Sequence, residues 1–172
     1  AKLGSDIPFC LIAQAKSNRV LPENIRYSGI ASTCARARGT GTELSKVRPL
    51  KSSILVVTPR LSISTKTVFT GIDECRISDR PNNDKLCRAL RYGDKSAAYS
   101  EMINVLEEFT LKEYPEVAEL KHFMSETCDS ARKVLMSGPT VFAIFDSNNQ
   151  AKKYAATFKE KSCFAFWART MI

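Results

Sequence analysis

Asp6 lies in the run Gly4-Ser5-Asp6-Ile7-Pro8-Phe9, a small polar setting just ahead of apolar Phe9, Leu11 and Ile12. A carboxylate so placed can accept a proton or orient a hydroxyl. The apolar run is expected to form a strand, and an acidic residue just before a strand also serves as an ordinary turn residue, so both readings stand. Met136-Ser137-Gly138-Pro139-Thr140 sets a glycine turn between two apolar runs. Its backbone amides could face a phosphate, or it could simply close a β-turn. Gly39-Thr40-Gly41-Thr42 lacks the third glycine of a dinucleotide loop, so a hairpin turn is the stronger reading. The single histidine, His122, reads as a surface or partly packed side chain on a helix.

The general catalytic templates are missing. No phosphate-loop run, no Gly-x-Ser-x-Gly and no His-Glu-x-x-His occurs in the sequence. Six cysteines without a Cys-x-x-Cys pair, beside one histidine, offer no zinc site, so no metal ligands are expected. Scattered cysteines fit reduced thiols and a cytosolic protein. No apolar run approaches the roughly 20 residues that span a bilayer, so no membrane partner is expected.

These residues need a scaffold, and 172 residues make one ordinary domain, or one with a small appendage. With 44% hydrophobic and 26% charged residues the composition is that of a globular chain able to bury a core without disulfides. The formal charge of +8 is uneven: residues 1–50 carry eight Lys/Arg against Asp6, Glu23 and Glu43. Such a basic front half fits an anionic partner or a solvated basic surface. The stretch 13–32, broken by Asn18, Pro22, Asn24 and Gly29, reads as a long loop.

From Lys51 the patterns sharpen. Ile54-Leu55-Val56-Val57 is a short buried strand stopped by Pro59. Ser62 or Ser64 caps a helix to about Asp73, with Val68 and Ile72 on one face. Two short helices follow over 83–91 and 95–105, and Pro115 opens another. Lys133 to Met136 and Thr140 to Phe145 are strands, Ser147 caps a helix to about Lys159, and Ser162 to Trp167 is a last strand. Strands returning beside helices predict an α+β fold, an antiparallel sheet backed by helices.

Taken in order, the pieces resemble diphosphocytidyl-methylerythritol kinases, within the wider superfamily of galactokinase, homoserine kinase and mevalonate kinase. The run 4–11 is similar to that family's Gly-Ala-Asp-Val-Pro-Phe-Phe-Leu. Ala35–Leu44, Ile54–Pro59 with Ser62–Phe69, Tyr114–Lys121 and Met136–Phe142 resemble later segments in the family's order. The resemblance implies the α+β fold of that superfamily's C-terminal domain over 51–172. Residues 1–50 would then be a remnant of the N-terminal kinase domain, with 13–32 an inserted loop.

The resemblance also implies an activity, transfer of the γ-phosphoryl group of ATP to the 2-hydroxyl of diphosphocytidyl-methylerythritol, in non-mevalonate isoprenoid biosynthesis. It gives Asp6 the role of the catalytic carboxylate, Phe69 a stack on the cytosine ring with Thr65 beside it, and Ser137-Gly138 a turn near the phosphates. ATP and Mg2+ would serve the complete enzyme, with neither held tightly here. The family's glycine-serine phosphate loop, its early lysine and the first aromatic partner of the cytosine precede the Asp6 segment. An isolated chain without them is expected to be inactive, to need a missing N-terminal half, and to bind cytidine nucleotides at millimolar affinity or weaker. Arg36, Arg38 or Arg60 would add a salt-sensitive attraction to phosphate. The family's turn reads Met-Ser-Gly-Ser-Gly-Pro-Thr, so this sequence is one Ser-Gly short, a loss expected to spoil a phosphate-facing turn. For Phe69 the competing reading is a core residue of its helix. The competing class is a basic RNA-binding module, because Phe164-Ala165-Phe166 resembles the centre of the aromatic strand of RNA-recognition domains. That motif's glycine and final aromatic are missing, and nucleic acid is not the expected partner.

Overall fold

The computed structural model describes residues 4–159 and 164–172. In chain order the elements are α1 (Ile7–Ser17), α2 (Glu23–Arg26), β1 (Ala35–Arg38), β2 (Glu43–Lys46), β3 (Ser53–Thr58), α3 (Thr65–Ile72), α4 (Asn83–Tyr92), α5 (Lys95–Ser100), α6 (Glu107–Glu113), α7 (Pro115–Thr127), β4 (Lys133–Ser137), β5 (Thr140–Phe145), α8 (Asn148–Lys159) and β6 (Phe164–Arg169). They gather into two units. One takes the described residues up to 51 together with 84–98 and 171–172, and the other takes 52–83 with 99–170.

The second unit is the α+β layer that the sequence predicts. Its four strands run antiparallel in the order β4-β5-β3-β6. Alternation along β3 buries Ser53, Leu55 and Val57 and leaves Ile54, Val56 and Thr58 half-buried, the period of two expected of a pleated strand. In register, Leu55 lies opposite Ala143 and Trp167, and Val57 opposite Val141 and Ala165. One sheet face therefore meets Val117 and Met124 of α7 and Ala151, Tyr154, Ala155 and Phe158 of α8 in a single core. Phe145 stacks on Tyr154 and Phe123 meets Phe158 edge-on, both with centroids 5.5 Å apart. Burying side chains as large as Phe145, Phe158 and Leu55 contributes roughly 1.5–3 kcal/mol each.

Strand β4 is a sheet edge, where unpaired backbone groups invite the wrong partner. Here Met136 is covered from α6 and the turn before it. Asn104 Nδ2 donates to its carbonyl at 2.9 Å, and its N–H donates to Glu107 Oε1 at 3.1 Å. Glu107 Oε2 accepts from Lys121 Nζ of α7 at 2.5 Å, with both side chains about one-fifth exposed. One carboxylate thus ties α6 to α7 and to the strand that leads into the 137–140 turn.

In the first unit β1 and β2 form an antiparallel hairpin, with Arg38 opposite Glu43 and Ala35 opposite Lys46. Gly39 and Gly41 adopt φ of 59° and 80°, so the glycine pattern made a hairpin turn. The apolar run after Asp6, read from sequence as a strand, is helix α1 instead. Pro8 sits in its first turn, where a missing N–H costs nothing, and Leu11, Ala13, Gln14, Ala15 and Lys16 are strong helix formers. The stretch 13–32, read as loop, holds the end of α1 and the short helix α2. Two further departures lie in the second half. The helix expected over 95–105 stops at Ser100, and α6 has no counterpart in the sequence reading. Ser162 of the expected last strand lies outside the described residues; β6 is described from Phe164.

Candidate functional site

Asp6 occupies the N-cap of α1 with helical backbone angles, and its side chain makes no capping hydrogen bond. It is exposed, while its carbonyl accepts from Cys10 N at 3.0 Å and starts the helix. Among the described residues the carboxylate has no hydrogen-bond partner, and it is the backbone that places it. The hairpin supports this segment from below. A Cβ added to Gly41 would stand 2.0 Å from the Ser5 carbonyl oxygen, so the turn packs backbone against backbone one residue ahead of Asp6.

Helix α3 places the two substrate-side candidates. Ser64 accepts from Thr67 N at 3.4 Å and caps the helix, as its position before the apolar pattern predicts. Val68 and Ile72 face inward and are buried. Thr65 and Phe69, four residues apart, form the stripe beside this buried one, and both are exposed. Phe69 is 57% exposed, which excludes the core reading of this aromatic. The helix reaches its seat through a glycine: a Cβ on Gly71 would meet Phe109 Cε2 of α6 at 2.0 Å.

Ser137 and Gly138 open the turn between β4 and β5. Ser137 pairs with Thr140, so Gly138 and Pro139 form a two-residue hairpin loop with Gly138 at φ 57°. Thr140 Oγ1 lies 2.9 Å from Thr58 Oγ1, which fastens the turn to the end of β3. That same end of the sheet feeds the link to α3. The structure thus pairs Thr65 with Phe69 on one helix face and sets Ser137-Gly138 in a tight turn of the same unit. Asp6 belongs to the other unit. Sequence reasoning missed Asn104 and Glu107, which hold the strand entering the turn; no local pattern marks an Asn or Glu for a partner roughly 30 residues away.

Burial, and secondarily Asp129, pushes the Cys128 thiol up to about 12, so it stays protonated and is no nucleophile. Burial, with Cys87 nearby, also raises Cys34. Among the described residues no three His, Cys, Asp or Glu side chains gather to hold a metal ion. No helix among them is long and apolar enough to cross a membrane. Phe164 and Phe166 are exposed with ring centroids 5.4 Å apart, but on β6, which is an edge of the sheet.

Residues 81–161 match the family described as GHMP kinases C terminal. Over this stretch the chain is similar to GHMP kinase C-terminal domains. The chain is 32% identical over 171 residues to the 4-diphosphocytidyl-2-C-methyl-D-erythritol kinase of Clostridium acetobutylicum, covering 99% of this chain and 54% of that protein. To the enzyme of the same name from Alkaliphilus oremlandii it is 34% identical over 152 residues, covering 87% of this chain and 46% of the relative. It therefore spans about half the length of the curated relatives it matches. Among solved structures it is similar to a 4-(cytidine 5'-diphospho)-2C-methyl-D-erythritol kinase, with a TM-score of 0.61 at 20% identity over 95% of this chain and 62% of that one. Homoserine kinase from Cytophaga hutchinsonii follows with a TM-score of 0.59 at 15% identity over 80% of this chain and 48% of that one. At such identities the structures speak for the fold alone, an α+β arrangement. The comparisons give the RNA-binding reading of the aromatic strand no support.

Proposed function

We propose that this chain contributes the substrate side of an ATP-dependent kinase that phosphorylates the 2-hydroxyl of diphosphocytidyl-methylerythritol. The observation that carries the reading is the exposed Thr65–Phe69 face of α3. A large aromatic held out of the core beside a hydroxyl offers a flat surface for a base and a hydrogen bond at its edge. Relatives named for this activity align with nearly the whole chain.

On this proposal Phe69 stacks on the cytosine and Thr65 hydrogen-bonds beside it. Asp6 accepts the proton of the attacking hydroxyl or orients it, a role suited to an exposed carboxylate with no partner among the described residues. The ATP phosphates are left to the loop that the family carries ahead of the Asp6 segment. Phosphoryl transfer depends on holding the γ-phosphoryl in line and neutralising its charge, so the 172-residue chain by itself should turn over no ATP.

The test is a titration of the chain with cytidine diphosphate, followed by backbone amide shifts. One base–aromatic stack is worth about 1–3 kcal/mol, and millimolar affinity corresponds to about 4 kcal/mol. Shifts at 62–69 with a dissociation constant in the millimolar range, lost in Phe69→Ala, are expected. Because Phe69 is exposed, that variant should keep its stability within about 0.5 kcal/mol. Absence of any shift over 62–69 at high millimolar nucleotide would remove the base-stacking role.

A further inference from the structure

The first unit carries a cleft of about 230 Å³ whose walls are cationic. Arg36 and Arg38 project from one face of β1, Lys46 and Arg48 come from the end of β2 and just beyond it, and Arg91 from α4. Helix α4 builds the opposite wall by period: Asp84, Cys87 and Arg91 recur at spacings of three and four, on one side of the helix. Asp84 pins Arg36, accepting from its Nη1 at 2.5 Å. This bond is the main cause that raises the guanidinium's pKa. Asp84 and Cys87 engage part of the five-donor fork, and the remaining donors are left for a ligand. Arg48 is placed by a glycine, since its Nη1 lies 3.0 Å from where a Cβ of Gly93 would stand. Arg38 is paired at 3.6 Å with Glu43. Among the described residues no ion pair engages Lys46, Arg48 or Arg91.

Three unpaired cations around one small cleft repel each other unless an anion joins them. Arginine forks match the oxygens of a phosphate in two parallel hydrogen bonds. The volume is below the roughly 300–1,000 Å³ of pockets for drug-sized ligands, which favours a compact anion over a whole nucleotide. We propose that this cleft is a binding site for a diphosphate group, free or at the end of a small molecule. It does not depend on the kinase reading or on Phe69.

Calorimetry on the 172-residue chain in about 20 mM salt, where screening is weak, tests it with inorganic pyrophosphate, orthophosphate and adenosine diphosphate. Saturable pyrophosphate binding about tenfold tighter than orthophosphate is expected, with a further loss of about tenfold in Arg48→Gln or Arg91→Gln. Amide shifts should fall on 36–48 and 84–91. Adenosine diphosphate equal to pyrophosphate would mark the diphosphate itself as the ligand, and much tighter binding would mark a nucleotide's tail; both support the site. Lys153→Gln, on α8 of the other unit, removes the same charge elsewhere and should leave binding unchanged. Equal binding of pyrophosphate and orthophosphate, or equal weakening by Lys153→Gln and Arg91→Gln, would reduce the cleft to a diffuse basic surface. A single-stranded RNA oligomer that moves these amides where pyrophosphate does not would also overturn the proposal.

Discussion

Gly41 stands against Ser5 so closely that the backbone of the β1–β2 turn occupies the place a side chain would need. A Cβ there would be 2.0 Å from the Ser5 carbonyl oxygen and 2.9 Å from its carbon, and Gly41 already has φ 80°. Both the space and the backbone conformation require glycine, and the residue after Ser5 is Asp6.

Gly41→Ala should therefore cost about 1–3 kcal/mol in the first unit, from left-handed strain and backbone overlap combined. Amide shifts should change at Ser5 through Cys10. Gly138→Ala is the matched control, because its φ is also positive, at 57°, while an added Cβ there meets nothing within 4 Å. It should cost only about 1 kcal/mol, the price of the backbone conformation. Equal losses in the two variants, measured by urea unfolding, would mean that the Ser5 contact carries no weight.

Glu107 makes a second separable claim. It joins Lys121 to the N–H of Met136, so Lys121→Met leaves a mostly buried carboxylate with one partner fewer. A loss of about 1–3 kcal/mol is expected, larger than for an exposed ion pair. The exposed Lys112–Glu113 pair serves as comparison, and Lys112→Met should change stability by less than about 0.5 kcal/mol. Amide exchange at Met136 should quicken only in the first variant.

The legibility of this fold follows the range of the forces that set each part. Strands β3, β4 and β5, the Ser64 cap, the Pro115 start and the Gly39–Gly41 hairpin each rest on neighbours within a few residues, and each was readable. The α+β class followed from their order. Helix α1 was misread because Phe9, Leu11 and Ile12 form an apolar cluster too short to distinguish periods of two and 3.6. The exposure of Phe69 was not readable either. Val68, Ile72 and Phe69 fall within one arc of about 100° on the helix, and only packing on α6 decides that the first two are covered and Phe69 is left out. The cationic cleft needed tertiary structure, since Arg36, Arg48 and Arg91 meet only once α4 lies beside the hairpin. Charge counting found the excess without finding its place.

Cys128 links burial to pH. Its pKa is raised from 9.0 to about 12, chiefly by desolvation, so the fold favours the protonated thiol. The associated stability is complete below about pH 9, the ordinary value of the thiol, and is lost as pH rises through the folded value. Stability should fall between about pH 9 and 12 more steeply in the parent than in Cys128→Ala, by at most about 1.4 kcal/mol per pH unit. At pH 8 iodoacetamide should label exposed Cys10 quickly and Cys128 only after unfolding. Rapid labelling of Cys128 in the native chain would contradict its burial.

Gly71 tests whether α3 is seated as described. Its φ is ordinary, so the usual expectation for a helical glycine is that alanine stabilises, by about 0.5–1 kcal/mol. Here the new methyl would lie 2.0 Å from Cε2 and 2.3 Å from Cζ of Phe109, a half-buried ring on α6. Overpacking of that kind costs about 1–3 kcal/mol, which outweighs the propensity gain, so Gly71→Ala should destabilise. Phe109→Leu shortens the ring to an aliphatic side chain and makes room. The double variant should therefore be more stable than the sum of the single effects predicts, with a coupling of about 1 kcal/mol or more. Urea unfolding of the four chains gives the coupling directly. If Gly71→Ala alone raises the midpoint, or if the two changes simply add, then α3 does not rest on Phe109 and the outward face of Thr65 and Phe69 loses its support.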